Sequence, residues 1–143
     1  MINAADLMSS INSVIVDDIP CGDKPNLIRF YDKLTTSMNK AVVEVKITSI
    51  GLEVVNASKN IKDIMGYTPE EIKGTDILSY RVTPIDEGKL NAMIRVLNRG
   101  EVVIKNNGIL HKNGHIVYSR GILFKDNDKY VEFVWNVNSE FNL

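Results

Sequence analysis

The sequence predicts an α+β domain: one antiparallel sheet with helices held on one of its faces. Three observations carry that prediction. The hydrophobic period switches from 3.6 to 2 at Val43, where strands begin. The stretch Asn56 to Asp86 holds several helix starts and stops too closely spaced for any of them to stand alone, because helix nucleation is costly. Three strand-like runs then close the chain, and hairpin-length links make neighbouring strands antiparallel.

A chain of 143 residues fits one domain with room for an appendage. With 44% hydrophobic and 24% charged residues it has the composition of a soluble globular protein. The net charge of −1 argues against a nucleic-acid surface, which needs clustered Lys and Arg. The single cysteine, Cys21, excludes an internal disulfide and a multi-cysteine metal site, and points to a reducing, cytoplasmic setting. MINAADLMSS has no basic region ahead of an apolar run, so no secretory signal is read. No run approaches the roughly 20 apolar residues of a membrane span, and no direct membrane contact is expected. A membrane-anchored parent is compatible with this.

Three divisions are expected: a helical extension over 1–39, the domain proper over 40–138, and the start of a linker over 139–143. In the extension, Leu7, Met8, Ile11, Val14 and Ile15 form one amphipathic stripe. It packs either on the domain or on a second copy of the chain. Prolines 20 and 25 with Gly22 break the pattern around Cys21, which is assigned no role. Leu27, Tyr31, Leu34 and Met38 then make two heptads of an a/d seam, suited to docking or dimerisation.

Val43, Val45 and Ile47 alternate with Glu44, Lys46 and Thr48 in a half-buried strand, and Ser49-Ile50-Gly51 turns into a second, Leu52 to Val55. Ile61, Ile64 and Met65 share a helical face that stops at Gly66. Thr68-Pro69-Glu70-Glu71 is a capping box with proline at the first helical position, stopped by Gly74. Thr83-Pro84-Ile85-Asp86 repeats that start and predicts a helix from Ile85 to Arg99, burying Leu90, Met93, Ile94 and Leu97. Strands follow over Glu101–Leu110, Ile116–Phe124 and Tyr130–Val137. Asn113-Gly114 predicts a type I′ turn between the first two. In the last strand, Val131, Phe133, Trp135 and Val137 are expected to face the core, with Glu132, Val134 and Asn136 opposite.

From Lys40 to Asn138 the chain resembles a PAS domain, the small sensory module of bacterial signalling proteins. The resemblance rests on Asn56-Ala57, on Met65-Gly66-Tyr67-Thr68-Pro69-Glu70-Glu71-Ile72-Lys73-Gly74, and on Thr83-Pro84-Ile85-Asp86. Gly100-Glu101 and His111-Lys112-Asn113-Gly114-His115 extend it. It implies a five-stranded sheet in the order 2-1-5-4-3 with helices over one face. It also implies structural roles for Asn56, Gly66, Tyr67, Thr68, Glu71, Pro84 and Asp86. Asn56 would tie the following helix to the second strand, and Tyr67 would pack with its hydroxyl at the rim. The implied function is a regulatory input and dimerisation domain of a histidine kinase, diguanylate cyclase or transcription regulator. Output would leave from the last strand, where the family's Asp-Ile-Thr type junction here reads Asn136-Val137-Asn138.

No nucleophile elbow, phosphate-binding glycine loop or helical histidine pair is present, so no enzyme is expected. His111 and His115 can face each other across their turn, with no third ligand evident. Ile77-Leu78-Ser79-Tyr80-Arg81 lacks the cysteine of flavin-binding relatives, and 76–99 lacks the axial histidine of haem-binding ones. Haem and covalently held flavin or chromophore are therefore disfavoured; a non-covalent flavin stays open. A pocket between sheet and helices is expected to be lined by Val45, Val55, Ile64, Leu78, Ile94, Leu97, Phe133 and Trp135. That lining suits either a small apolar ligand or a filled core. Two other readings stand beside the sensory one: a small enzyme or carrier of ketosteroid-isomerase-like shape, and a closed PAS core used for protein contacts alone. The first needs a buried carboxylate, which the polar-face positions of Glu44, Glu132 and Asp76 do not offer.

Overall fold

A computed structural model describes residues 39–138. The seam of Leu27, Tyr31, Leu34 and Met38, the rest of the expected flank and the linker over 139–143 lie outside the described residues. Strands β1 (Ala41–Thr48) and β2 (Gly51–Ala57) lead into helices α1 (Ile61–Met65) and α2 (Pro69–Ile72). A 3-10 turn (Ile77–Tyr80) and helix α3 (Glu87–Asn98) follow, then β3 (Val103–Leu110), β4 (Ile116–Asp126) and β5 (Lys129–Asn136). The five strands form one sheet in the order β2-β1-β5-β4-β3, and every pairing is antiparallel. This is the expected fold class and strand order.

Alternation along β1 places Ala41, Val43 and Val45 on the helix-facing side, where they pack with Ile61, Ile64, Met65, Leu97 and Val134. Short helices hold here because each lays one to three buried apolar side chains on this surface. The opposite face carries a second cluster of Val102, Ile122, Phe124, Phe133 and Trp135. Phe133 lies opposite Val42 and Ile122, with Phe124 edge-on to it at 5.2 Å.

Four expectations change. The helix-facing side of β5 is the Glu132–Val134 side, while Phe133 and Trp135 point the other way. Both faces of the strand are buried, so apolar content does not tell which one meets the helices. Helix α3 starts at Glu87: Asp86 is extended and caps it, accepting from the Lys89 amide at 2.8 Å, and Pro84 keeps its predecessor out of helical geometry. Val96 joins Leu97 as the buried side chains of α3, whereas Leu90, Met93 and Ile94 are half-buried. The β3–β4 connection is a three-residue loop, with His111 and Gly114 joined at 2.8 Å and His111 bonded to the His115 carbonyl at 2.9 Å. Only Gly114 has positive φ there, so it is a turn with a glycine bulge and not a type I′ pair.

Candidate functional site

The motif block builds a scaffold. Thr68 Oγ1 accepts from the Glu71 amide at 3.2 Å, and Glu71 Oε1 accepts from the Thr68 amide at 3.0 Å, closing the capping box. The other carboxylate oxygen of Glu71 takes Lys112 Nζ at 2.6 Å, and the Lys112 amide donates to the Met65 carbonyl at 3.0 Å. The β3–β4 tip is thereby clamped onto the α1–α2 corner. These bonds, the Lys112 side chain first, hold the Glu71 carboxyl down at about 2. Gly66 carries φ +80, and a Cβ there would sit 2.3 Å from the His111 ring. Only glycine fits beneath that imidazole. His111 stacks on His115 at 4.2 Å, and desolvation followed by His115 lowers its pKa.

Asn56 is exposed, and the tie between β2 and α1 comes from its neighbours. Ser58 Oγ accepts from the Val42 amide at 2.9 Å, and Asn60 Nδ2 donates to the Lys40 carbonyl at 2.6 Å. The physical reason is strand length: β2 runs through Ala57, so Asn56 still lies within the ladder, opposite Glu44. Tyr67 packs half-buried against the Tyr80 ring at 5.2 Å, and the Tyr80 hydroxyl meets Thr75 Oγ1 at 2.8 Å.

The expected lining divides among four places. Val45, Ile64 and Leu97 are buried between sheet and helices. Leu78 and Ile94 border a groove of about 680 Å³ beneath the β1–β2 turn, beside Ile50 and Asp76. Val55 is the extra residue of a β-bulge, where the register steps from Glu44–Asn56 to Val45–Val54. Phe133 and Trp135 belong to the far face.

The interior contains what the apolar lining left out. Lys105 and Glu132 are 6% and 3% exposed and face each other from β3 and β5 at 2.9 Å. Gly121, on β4 between them, makes the space: a Cβ there would stand 2.7 Å from Glu132 Oε1. Arg81 reaches in after the 3-10 turn and donates from Nη1 to Asn107 Oδ1, with its Nε bonded to the Thr83 carbonyl at 3.1 Å. Burial lowers the Arg81 pKa, and Glu132 pulls it the other way. A signal for this cluster exists in the sequence. Val103, Lys105, Asn107 and Ile109 alternate along β3 with apolar ends, which places both polar residues on the core face.

Around this pair the enclosed void, bounded by Val43, Ile61, Met65, Ile109 and Val134, is about 20 Å³. That is room for one water. Side chains of the two strands and of the helices above them fill most of the space around the pair. At the rim, α3 and β3 border an open cleft of about 680 Å³, which Arg81, Lys89 and Lys105 edge. Among the described residues, no three His, Cys, Asp or Glu side chains converge as a metal site.

Two hairpin-paired strands, an inserted helical segment and a three-strand return define a small α+β domain with its helices on one sheet face. The chain belongs to the PAS fold family, whose sequence model matches residues 54–137, more than half of its 143 residues. No curated protein matches the chain. Among solved structures it is similar to an RNA-binding light-oxygen-voltage receptor at 15% identity and TM-score 0.58, covering 87% of this chain and 36% of that one. A domain of a sensory box sensor histidine kinase/response regulator from Geobacter sulfurreducens aligns at 16% identity and TM-score 0.57, over 77% of this chain and 94% of that one. The blue-light activated histidine kinase EL346 of Erythrobacter litoralis aligns at 11% identity and TM-score 0.57, over 74% of this chain and 36% of that one. The chain thus spans little more than a third of the length of the receptor and of the kinase. At these identities the likeness is one of fold.

Proposed function

We propose that residues 40–138 are the sensory input module of a signal-transduction protein. In this reading the segment ahead of it contributes to dimerisation, and the module governs an effector such as a histidine kinase, diguanylate cyclase or transcription regulator. The observation that carries this reading is the family match over 54–137 on a sheet of order β2-β1-β5-β4-β3. Its similarity to domains of sensor histidine kinases supports it. The module is cytoplasmic and not an enzyme, and it acts by favouring one of two arrangements of sheet and flank when a small ligand or a partner binds. Among the described residues no helix is long and apolar enough to cross a membrane, which is compatible with that placement.

The ketosteroid-isomerase-like reading needs a free buried carboxylate. Glu132 is buried on the helix-facing side, contrary to the polar-face position expected for it, but its oxygen lies 2.9 Å from Lys105 Nζ. A carboxylate so paired is not a free one. The reading of a closed core used for protein contacts alone gains support from the void of about 20 Å³. Size-exclusion chromatography with light scattering of residues 1–143 tests the proposal. A dimer is expected; a monomer at high micromolar concentration overturns the association half of the proposal.

A further inference from the structure

The cleft between α3 and β3 deepens the sensory reading and rests on it. Its volume of about 680 Å³ lies within the usual range of small-molecule sites. Met93 and Val96 from α3 and Val103 from β3 give it an apolar floor. Arg81, Lys89 and Lys105 stand along its edge, and among the described residues no acidic one lines it. Glu132 meets Lys105 from the interior side and offsets one of these three cations, leaving two positive charges in surplus. The Arg81 guanidinium is already oriented by Asn107 and the Thr83 carbonyl. A preoriented planar fork is the partner that suits a planar carboxylate.

We propose that this cleft binds an amphipathic carboxylate. The apolar body lies on Met93, Val96 and Val103, and the carboxylate is held by Arg81 with help from Lys89 and Lys105. Lys105 connects the ligand to the sheet. Its ammonium is bonded to Glu132 on β5, so an arriving carboxylate competes with Glu132 for the same donor. Binding therefore favours arrangements in which the β3–β5 ion pair is loosened, which is the differential affinity a sensor needs.

The test uses the full 143-residue chain, labelled with nitrogen-15 and titrated with 4-phenylbutyrate, with 4-phenylbutan-1-ol and with inorganic phosphate. Phenylbutyrate is expected to shift the amides of Met93, Lys105 and Asn107 and to bind at least about tenfold more tightly than the alcohol. Inorganic phosphate, lacking an apolar body, is expected to bind more weakly than phenylbutyrate. Arg81→Gln should remove most of the gap between acid and alcohol, and Lys89→Glu should narrow it without touching a buried group. Lys46→Gln, on β1 with two strands between it and β3, should leave it unchanged. Equal affinity for acid and alcohol, phosphate binding as tight as phenylbutyrate, shifts confined to other surfaces, or no binding at millimolar ligand each overturns the proposal. The association half of the sensory reading is judged separately by oligomeric state. A dimer that ignores the carboxylate sinks the cleft alone, and a monomer that binds it sinks the association alone.

Discussion

Glu71 serves two partners at once, closing the capping box with one oxygen and holding Lys112 with the other. Its pKa is lowered to about 2 from 4.5, so the folded state binds this proton less readily than the unfolded one. The stabilisation is complete above about pH 4.5 and drains away as pH falls towards 2. A carbon-13 titration of the Glu71 carboxyl is expected to give a midpoint near 2, and Lys112→Gln should move it upward; an ordinary carboxylate midpoint in both proteins would refute the clamp. His111 has the same sign, since its lowered pKa means that protonation disfavours the stacked pair. Deeper in, Lys105 and Glu132 offer a sharper contrast. Replacing either alone by alanine strands a buried charge and should cost about 3–5 kcal/mol, whereas Lys105→Met with Glu132→Leu should be near neutral or stabilising. Urea denaturation of the three proteins checks this, and additive losses would count against a buried pair. Gly121→Ala should also destabilise, because its Cβ would press on Glu132.

Among the elements, α3 shows how a start signal is read one step early. Thr83-Pro84 has the composition of a helix start, yet the cap bond belongs to Asp86, whose carboxylate reaches the Lys89 amide at 2.8 Å. Asp86→Ala is expected to lose about 1 kcal/mol, and Thr83→Ala to stay within about 0.5 kcal/mol. Chemical denaturation distinguishes them, and a reversed order would return the cap to Thr83. The Thr68–Glu71 box, by contrast, was legible because all its partners lie within four residues of one another. The bulge at Val55 was not, since it is defined by the partner strand: only against Glu44 and Val45 does one residue become extra. The β3–β4 loop likewise follows its clamp on Met65 and Glu71, and the Asn-Gly pair alone suggested a tighter turn.

At the scale of the molecule, the sheet buries apolar side chains on both faces, and this decides where Trp135 belongs. Trp135 is fully buried in the far-face cluster, away from the α3–β3 cleft. It is the chain's one tryptophan, so its fluorescence reports on that face alone. Emission should be blue-shifted and weakly quenched by acrylamide in the native protein, then red-shifted and strongly quenched on unfolding. Strong quenching of the native protein would place the indole in the open. Leu97→Ala, in the helix-facing layer, should cost about 2–5 kcal/mol in the same denaturation measurement.

The sequence by itself determined the strands, the capped short helices and the family, because each of these is written in residues close together along the chain. Periodicity of two finds a strand, and a hydroxyl three residues before a glutamate finds a cap, without knowledge of what lies opposite. The tertiary structure alone decided which face of β5 meets the helices, that Glu132 finds Lys105 across 27 residues of chain, and that Gly121 leaves room for them. A strand with two buried faces looks alike from either side, and the burial of a charge is tolerable only once its distant partner is in place. The interior, expected to be apolar whether as a pocket or as a filled core, instead holds an ion pair in a nearly filled core, and the open space lies beside it, at the cationic edge of α3 and β3.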